Sequence, residues 1–303
     1  MSDFTPPQIP ATLEEANGQL GLRLYGFVGE QIREQELAAM GIDGAAPTTV
    51  PVGGEVFVGA VLDAGEQVIP INESLAHDQW GSDAPQVIAA AVEASRGYQT
   101  DDIALVQPGT YAITDERFGA YCLLEPTALQ AFEVNGAPVA IVPGRGVVLI
   151  TGSQDQEGLI TAAEAAAKVA ESGEGLVSWL PLTHTGQGWI PFEIPADEAI
   201  QQAFGHTARV INSGHYARQR DVLADGQAFP ASAQVFKREG WTIMVGTWSR
   251  GVETLLPVVD DVAISSDDGD IQLMPFGQFV ALPGVTETPM VPKRYHVPAD
   301  LQV

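Results

Sequence analysis

Apolar and polar positions alternate most legibly over residues 138–172, where the pattern predicts strand, tight turn, strand, loop and helix. Val139–Val142 and Val147–Ile150 are short apolar runs, the second β-branched and apolar throughout, as in strands buried on both faces. Pro143-Gly144-Arg145-Gly146 between them is turn chemistry, with glycines free to take φ > 0. Leu159, Ile160, Ala163, Ala166, Ala167 and Ala170 then recur at helical intervals, with Ser153 and Gln156 at capping-box spacing before them and Gly173 as a stop.

The same reading extends in both directions. Leu13, Leu20, Leu24, Phe27, Val28, Ile32 and Leu37 form an approximate helical stripe, so Thr12–Ala39 is expected to be helical, with a break among Gly18, Gly21, Gly26 and Gly29. Gly41–Gly54 reads as a loop. Glu55–Leu62 and Gln67–Ile71 flank Asp63-Ala64-Gly65-Glu66 as a hairpin, and Asp83 or Ser82 caps a helix from Pro85 to about Ser95. Ile103–Val106, Tyr111–Thr114 and Ala120–Leu124 are expected strands, and Thr127–Phe132 a short helix. Past Pro195, two helices (Asp197–Phe204 and His206–Leu223, interrupted near Gly214) precede an antiparallel meander. Its strands are Phe229–Phe236, Trp241–Trp248, Val262–Ser265, Ile271–Met274 and Phe279–Leu282. The proline-punctuated end looks like an extended arm on the body or on a neighbour. The expected class is α+β: two domains, 1–195 and 196–303, each a small, mostly antiparallel sheet packed with helices.

Charge changes this picture more than size does. The chain of 303 residues carries a formal net charge of −25, from 39 acidic residues against only 14 Lys plus Arg. Three of those cations are lysines, so the protein is poor in bases more than rich in acids. Residues 1–195 hold 26 acids and 6 bases, against 13 and 8 in 196–303. A field of that sign repels phosphate backbones and anionic lipid, which argues against nucleic-acid and membrane-surface binding and favours a basic protein partner. No apolar run reaches the roughly 18 residues that span a bilayer, and the expected location is cytoplasmic. One cysteine, Cys122, excludes an internal disulfide and a thiolate metal site.

Catalytic templates find little support. The glycines near residue 145 lack the spacing and the lysine of phosphate-binding loops, and no histidine pair has metal-ligand spacing. Asp267-Asp268-Gly269-Asp270 lacks the alternating ligands of a calcium loop and reads as a hairpin turn. Cys122 sits in an apolar run, where an inert thiol is expected. Neither a catalytic residue nor a cofactor or metal is predicted. The binding candidates are Arg145, which can grip a carboxylate or phosphate from its turn, the aromatic surfaces of Trp189 and Trp248, and Asp260, which reads more readily as a cap or turn residue than as an acid or base.

Several stretches of the first region resemble the uncharacterised bacterial YtpQ-like domain family. These are the strand Glu55–Leu62, Trp80-Gly81 before an Ala/Val helix, Phe118-Gly119-Ala120 with Leu123-Leu124, and Val142-Pro143-Gly144-Arg145. The resemblance covers about residues 10–195 and implies a small α+β domain with no established activity. Members usually carry an Asn-Arg-Asp-like turn after that proline, so only Arg145 carries over. The function expected is that of a non-catalytic interaction module presenting acidic surface to a basic partner. The alternatives are a hydrolase with a dispersed site between the domains, using Arg145, His184 or an aspartate, and a structural subunit that oligomerises through the C-terminal arm.

Overall fold

The computed structural model describes residues 9–42, 44–65, 67–238, 241–266 and 269–303. The Met1–Pro10 tail, Glu66, the second half of the Lys237–Gly240 turn and Asp267-Asp268 thus lie wholly or mostly outside the described residues. The class is α+β, with four small sheets packed by helices.

The first sheet orders Leu20–Gly26, Val56–Asp63 and Thr49–Gly53, with Val68–Pro70 completing the expected hairpin; all its pairs are antiparallel. Two expectations are corrected here. Leu20–Gly26 is a strand rather than part of a helix, and the supposed loop 41–54 contributes the strand Thr49–Gly53. Leu20, Leu22 and Leu24 point into one core with Val56, Val58, Ala60 and Leu62. Val87, Ile88 and Ala91 of the helix Ala84–Ser95 cover them, and that helix begins in a full capping box between Asp83 and Gln86. Thr12 caps only one turn, Leu13–Ala16, and a separate helix runs over Phe27–Ala39. Gly26, at the joint, has Val177 O where a Cβ would stand, at 2.2 Å. Gly26→Ala must push the two segments apart and is expected to cost about 2 kcal/mol, read as a lower urea midpoint; an unchanged midpoint would contradict that packing.

The second sheet has six strands, all antiparallel, ordered Trp189–Pro191, Leu182–His184, Pro138–Gly144, Val147–Gly152, Thr110–Ile113 and Ile103–Gln107. Its two central strands are buried on both faces, as their apolar runs require. Ala140, Val142, Val148 and Ile150 join the first core, while Val139, Ile141 and Leu149 face the helix Gln156–Ala170. That helix is capped by Asp155, whose carboxylate accepts from Gly158 N; Ser153 instead accepts from Ala137 N. Residues 120–124 are not a strand. They belong to the helix Glu116–Leu124, whose Gly119–Leu123 stretch is buried throughout.

A single helix, Glu198–Leu223, replaces the expected broken pair and is about 39 Å long at helical rise. Its first half packs Ile200, Ala203 and Phe204 on Gln156–Ala170, where Thr207 donates to Ala163 O at 2.7 Å. Gly214 does not interrupt it; a Cβ there would strike Leu176 Cδ1 at 2.4 Å, so the glycine serves close packing. The helix's second half places Tyr216 in another core with Met244, Trp248, Val262, Ile264 and Phe279.

Two mixed four-stranded sheets surround that core. One orders Phe229–Pro230, Thr254–Pro257, Arg294–Val297 and Thr286–Glu287; the other orders Ala233–Arg238, Trp241–Ser249, Asp261–Ser265 and Ile271–Pro275. The expected antiparallel meander is corrected on three points, the first being that Phe229–Phe236 divides into two strands, one in each sheet. Trp241–Ser249 and Asp261–Ser265 run parallel, because the chain detours through Thr254–Pro257 in the neighbouring sheet before it returns. Phe279 lies in a short helix, Phe276–Phe279, rather than a strand. The C-terminal arm lies on its own chain, burying Arg294, Val297 and Leu301.

Candidate docking face and adjoining groove

The four residues singled out in the sequence are not brought together. Trp189 is buried, its indole N–H donating to Leu123 O at 2.8 Å. Trp248 is likewise internal; it donates to Val252 O and meets Phe279 edge-on. Asp260 accepts the fork of Arg209 at 2.7 and 2.8 Å and the Met244 N–H, clamping the long helix to the sheet. Burial works to raise its pKa, but the Arg209 fork and the Met244 N–H outweigh it and hold the carboxyl below its ordinary value. Arg145 alone is exposed, in the two-residue turn between the central strands. His184, named for the hydrolase alternative, accepts from Gly186 N beside Trp189. Cys122 is buried, and burial pushes its thiol up to about 12, so it stays protonated and unreactive.

A groove runs along Glu198–Leu223, between Gln156–Ala170 and the Ala233–Ser249 strands. It comprises neighbouring hollows of about 740 and 460 Å³ that share His206 and Lys237. His206 Nδ1 lies 3.1 Å from Thr242 Oγ1 within it. Burial, with help from Lys237, lowers the imidazole's pKa, so the ring is neutral at neutral pH. A hydroxyl beside a neutral imidazole is the beginning of a nucleophile–base pair, but such a pair needs a third group to orient the base. Among the described residues no side chain hydrogen-bonds the other ring nitrogen. The pair joins helix to strand. No three His, Cys, Asp or Glu side chains gather as a metal site among the described residues, and no described helix is long and apolar enough to cross a membrane.

The sheet bordering this groove has one covered face and one bare face. Met244, Gly246, Trp248, Val262 and Ile264 point inward, most of them into the core. By the register, their neighbours point outward: Phe236 opposite Ile243, Thr247 beside Ala263 beside Leu273, and Ser249 beside Ser265 beside Ile271. Nothing among the described residues covers them. Ile271 is 71% exposed, Trp241 54%, Leu273 51% and Phe236 47%. Asp261 stands at one end of that face, and at the other the register places Arg238 opposite Trp241. Large apolar residues exposed together on one face, rather than singly, are the kind of surface that marks a binding site. Trp241 also stands at the mouth of the groove. Of these outward residues the sequence offered Trp241, as one of five tryptophans able to stack on a ligand, and Asp261, as the neighbour of Asp260; Phe236, Ile271 and Leu273 were not picked out.

Searches of protein-family models, curated proteins and solved structures return no match to the chain. The YtpQ-like resemblance of residues 10–195 therefore rests on the quoted residues alone.

Proposed function

We propose that this chain is a protein-docking module. Its partner on this reading is a basic protein whose own apolar patch is ringed by lysine and arginine. The observation that carries the reading is the outer face of the Ala233–Pro275 sheet, where four large apolar side chains are open to water and charged residues stand only at the ends. Interface centres are depleted in charge and enriched in aromatics, while their rims are polar. The molecule as a whole carries −25, most of it on residues 1–195, with a smaller excess of 13 acids over 8 bases on the 196–303 region that holds the face. That field favours the approach of a basic partner over an acidic one. The groove supplies a second contact beside Trp241. A hydrolase acting in the groove is favoured only by the His206–Thr242 hydrogen bond.

Two alternating peptides test the proposal by calorimetry, one of leucine and lysine, the other of leucine and glutamate. The lysine peptide is expected to bind at least about tenfold more tightly, and more weakly as salt rises. Trp241→Ser with Ile271→Ser is expected to lose about tenfold of that affinity with little change in melting, because both side chains are exposed. Equal binding of the two peptides, or a double variant that binds like the native chain, would sink the reading. Self-association that the double variant abolishes would assign the face to a second copy instead.

A further inference from the structure

A second site lies in the first region, away from the bare sheet. Five features converge on one small cavity of about 60 Å³ there, whose lining includes Tyr25, Gly26, Glu30, Arg33, Arg145 and Arg218. The first is the N-terminus of the 13-residue helix Phe27–Ala39, which begins at Gly26 with no side-chain cap. Phe27 N–H is taken by Glu55 O and Glu30 stands in the first turn, which leaves the N–H groups that follow Phe27 without a side-chain cap. Second, Tyr25 is 3% exposed and its hydroxyl is buried without a hydrogen-bond partner, a rare condition for a polar group. Burial pushes its pKa up to about 12, so the proton remains available to donate.

Third, the Arg145 guanidinium has no ion pair or hydrogen bond among the described residues; only its backbone N–H is engaged, with Gly175 O. Fourth, glycines keep the space open. A Cβ on Gly175 would stand 3.0 Å from Arg145 Nε, and one on Gly29 would stand 3.1 Å from Leu176 O. Fifth, the charge balance is locally reversed. Arg33, Arg145 and Arg218 line the cavity against one carboxylate, Glu30, which Arg33 holds at 2.8 Å. Arg218 is paired to Glu36 just outside. With Arg33 and Arg218 each paired, the local excess is the one positive charge of Arg145, in a molecule of net charge −25.

We infer that this cavity binds a single phosphate-sized oxyanion, held by the Arg145 guanidinium, the Tyr25 hydroxyl and the uncapped N-terminus of Phe27–Ala39. Donors arrive from a strand, a helix end and a turn, so they surround a tetrahedral group better than a flat carboxylate. At about 60 Å³ the cavity matches the size of one such group. Free phosphate and the phosphate end of a small metabolite share this chemistry.

Calorimetry on the full chain separates these sources, using inorganic phosphate, phenyl phosphate and acetate against chloride at matched ionic strength. Phosphate is expected to bind well above chloride and acetate; a further gain for phenyl phosphate would assign a phosphorylated metabolite, and equal affinity the free ion. Arg145→Gln is expected to weaken phosphate binding about tenfold or more while melting unchanged in its absence, since the guanidinium has no protein partner to lose. Tyr25→Phe moves two readouts in opposite directions. It removes an unsatisfied buried hydroxyl, so the ligand-free melting point should rise by about 2 °C, yet phosphate affinity should fall. Phosphate that binds no better than chloride or acetate overturns the inference, as does Arg145→Gln with native affinity.

Discussion

Arg294→Met is expected to lower the unfolding free energy by about 4 kcal/mol, among the largest losses a single substitution can cause. Arg294 sits on the C-terminal arm, yet it is wholly buried, with 0% exposure and no carboxylate beside it. Its guanidinium is held by oxygens alone: Gln219 Oε1 at 2.7 Å, Ala231 O and Leu255 O at 2.8 Å, and Tyr216 O at 3.1 Å. The Tyr216 ring lies under the same cation. Burial pushes its pKa down to about 10, so it remains charged at neutral pH. One side chain thus ties the arm to the long helix, to the Thr254–Pro257 strand and to residue 231. Methionine fills part of the volume but leaves those acceptors facing apolar atoms. Arg294→Lys keeps the charge without the planar fork and is expected to recover less than half of the loss. Urea unfolding measures both, and a methionine variant within about 1 kcal/mol of the native chain would show that the network is not what fastens the arm.

What could be read in the sequence depended on whether a segment's apolar period was unambiguous. The central strand pair, the Asp83-capped helix and the hairpin after Val56 carry local punctuation and a single period, and they appear as expected. Leu20–Gly26 was ambiguous for a definite reason. Leu20 and Leu24 are four apart, a spacing that satisfies both a helix and a strand, and only Leu22 between them tells the two apart. Residues 120–124 hid their helix in another way: Gly119–Leu123 is buried on every side, so it has no polar face to reveal the period. The real signal was Asp115, whose carboxylate accepts from Phe118 N at the helix start. Gly214 looked like a break because its reason, Leu176, lies about forty residues away.

The two sites were legible to different degrees. Arg145 was found at once, since a lone arginine in a glycine turn stands out. Its partners could not be, because Tyr25 and the Phe27 helix end come from far upstream and meet it only through tertiary packing. The bare face was invisible for a physical reason. Trp241–Ser249 reads WTIMVGTWS, apolar on both faces, which is also how a strand buried on both sides reads. Sequence reports that a face is apolar; only packing shows that nothing covers it.

His215 should make the protein sensitive to mild acid. Its ring is buried in the middle of the long helix, against Gly29 of Phe27–Ala39 and near Arg218, which pairs with Glu36. Burial first, and the Arg218 charge second, push its pKa from 6.5 down to about 4. Above pH 6.5 the imidazole is neutral whether the chain is folded or not, so it adds no pH dependence. Between pH 6.5 and 4 the unfolded chain takes up a proton that the folded chain refuses, and stability falls as pH falls. Below about pH 4 the folded form is protonated too and the loss levels off. A gap of that size is worth about 3 kcal/mol across the window. Carboxylates held below their ordinary value, such as Asp260, lose their contribution only at lower pH. Urea midpoints measured from pH 7 to 4 should therefore drop in the native chain, and the slope should flatten in His215→Leu but persist in His77→Leu, where the ring is exposed. A leucine variant at position 215 with the native slope would place the acid sensitivity elsewhere. The same proton would load a second cation beside Arg218, at the seam where Phe27–Ala39 meets the long helix, so that seam is where opening in acid should begin.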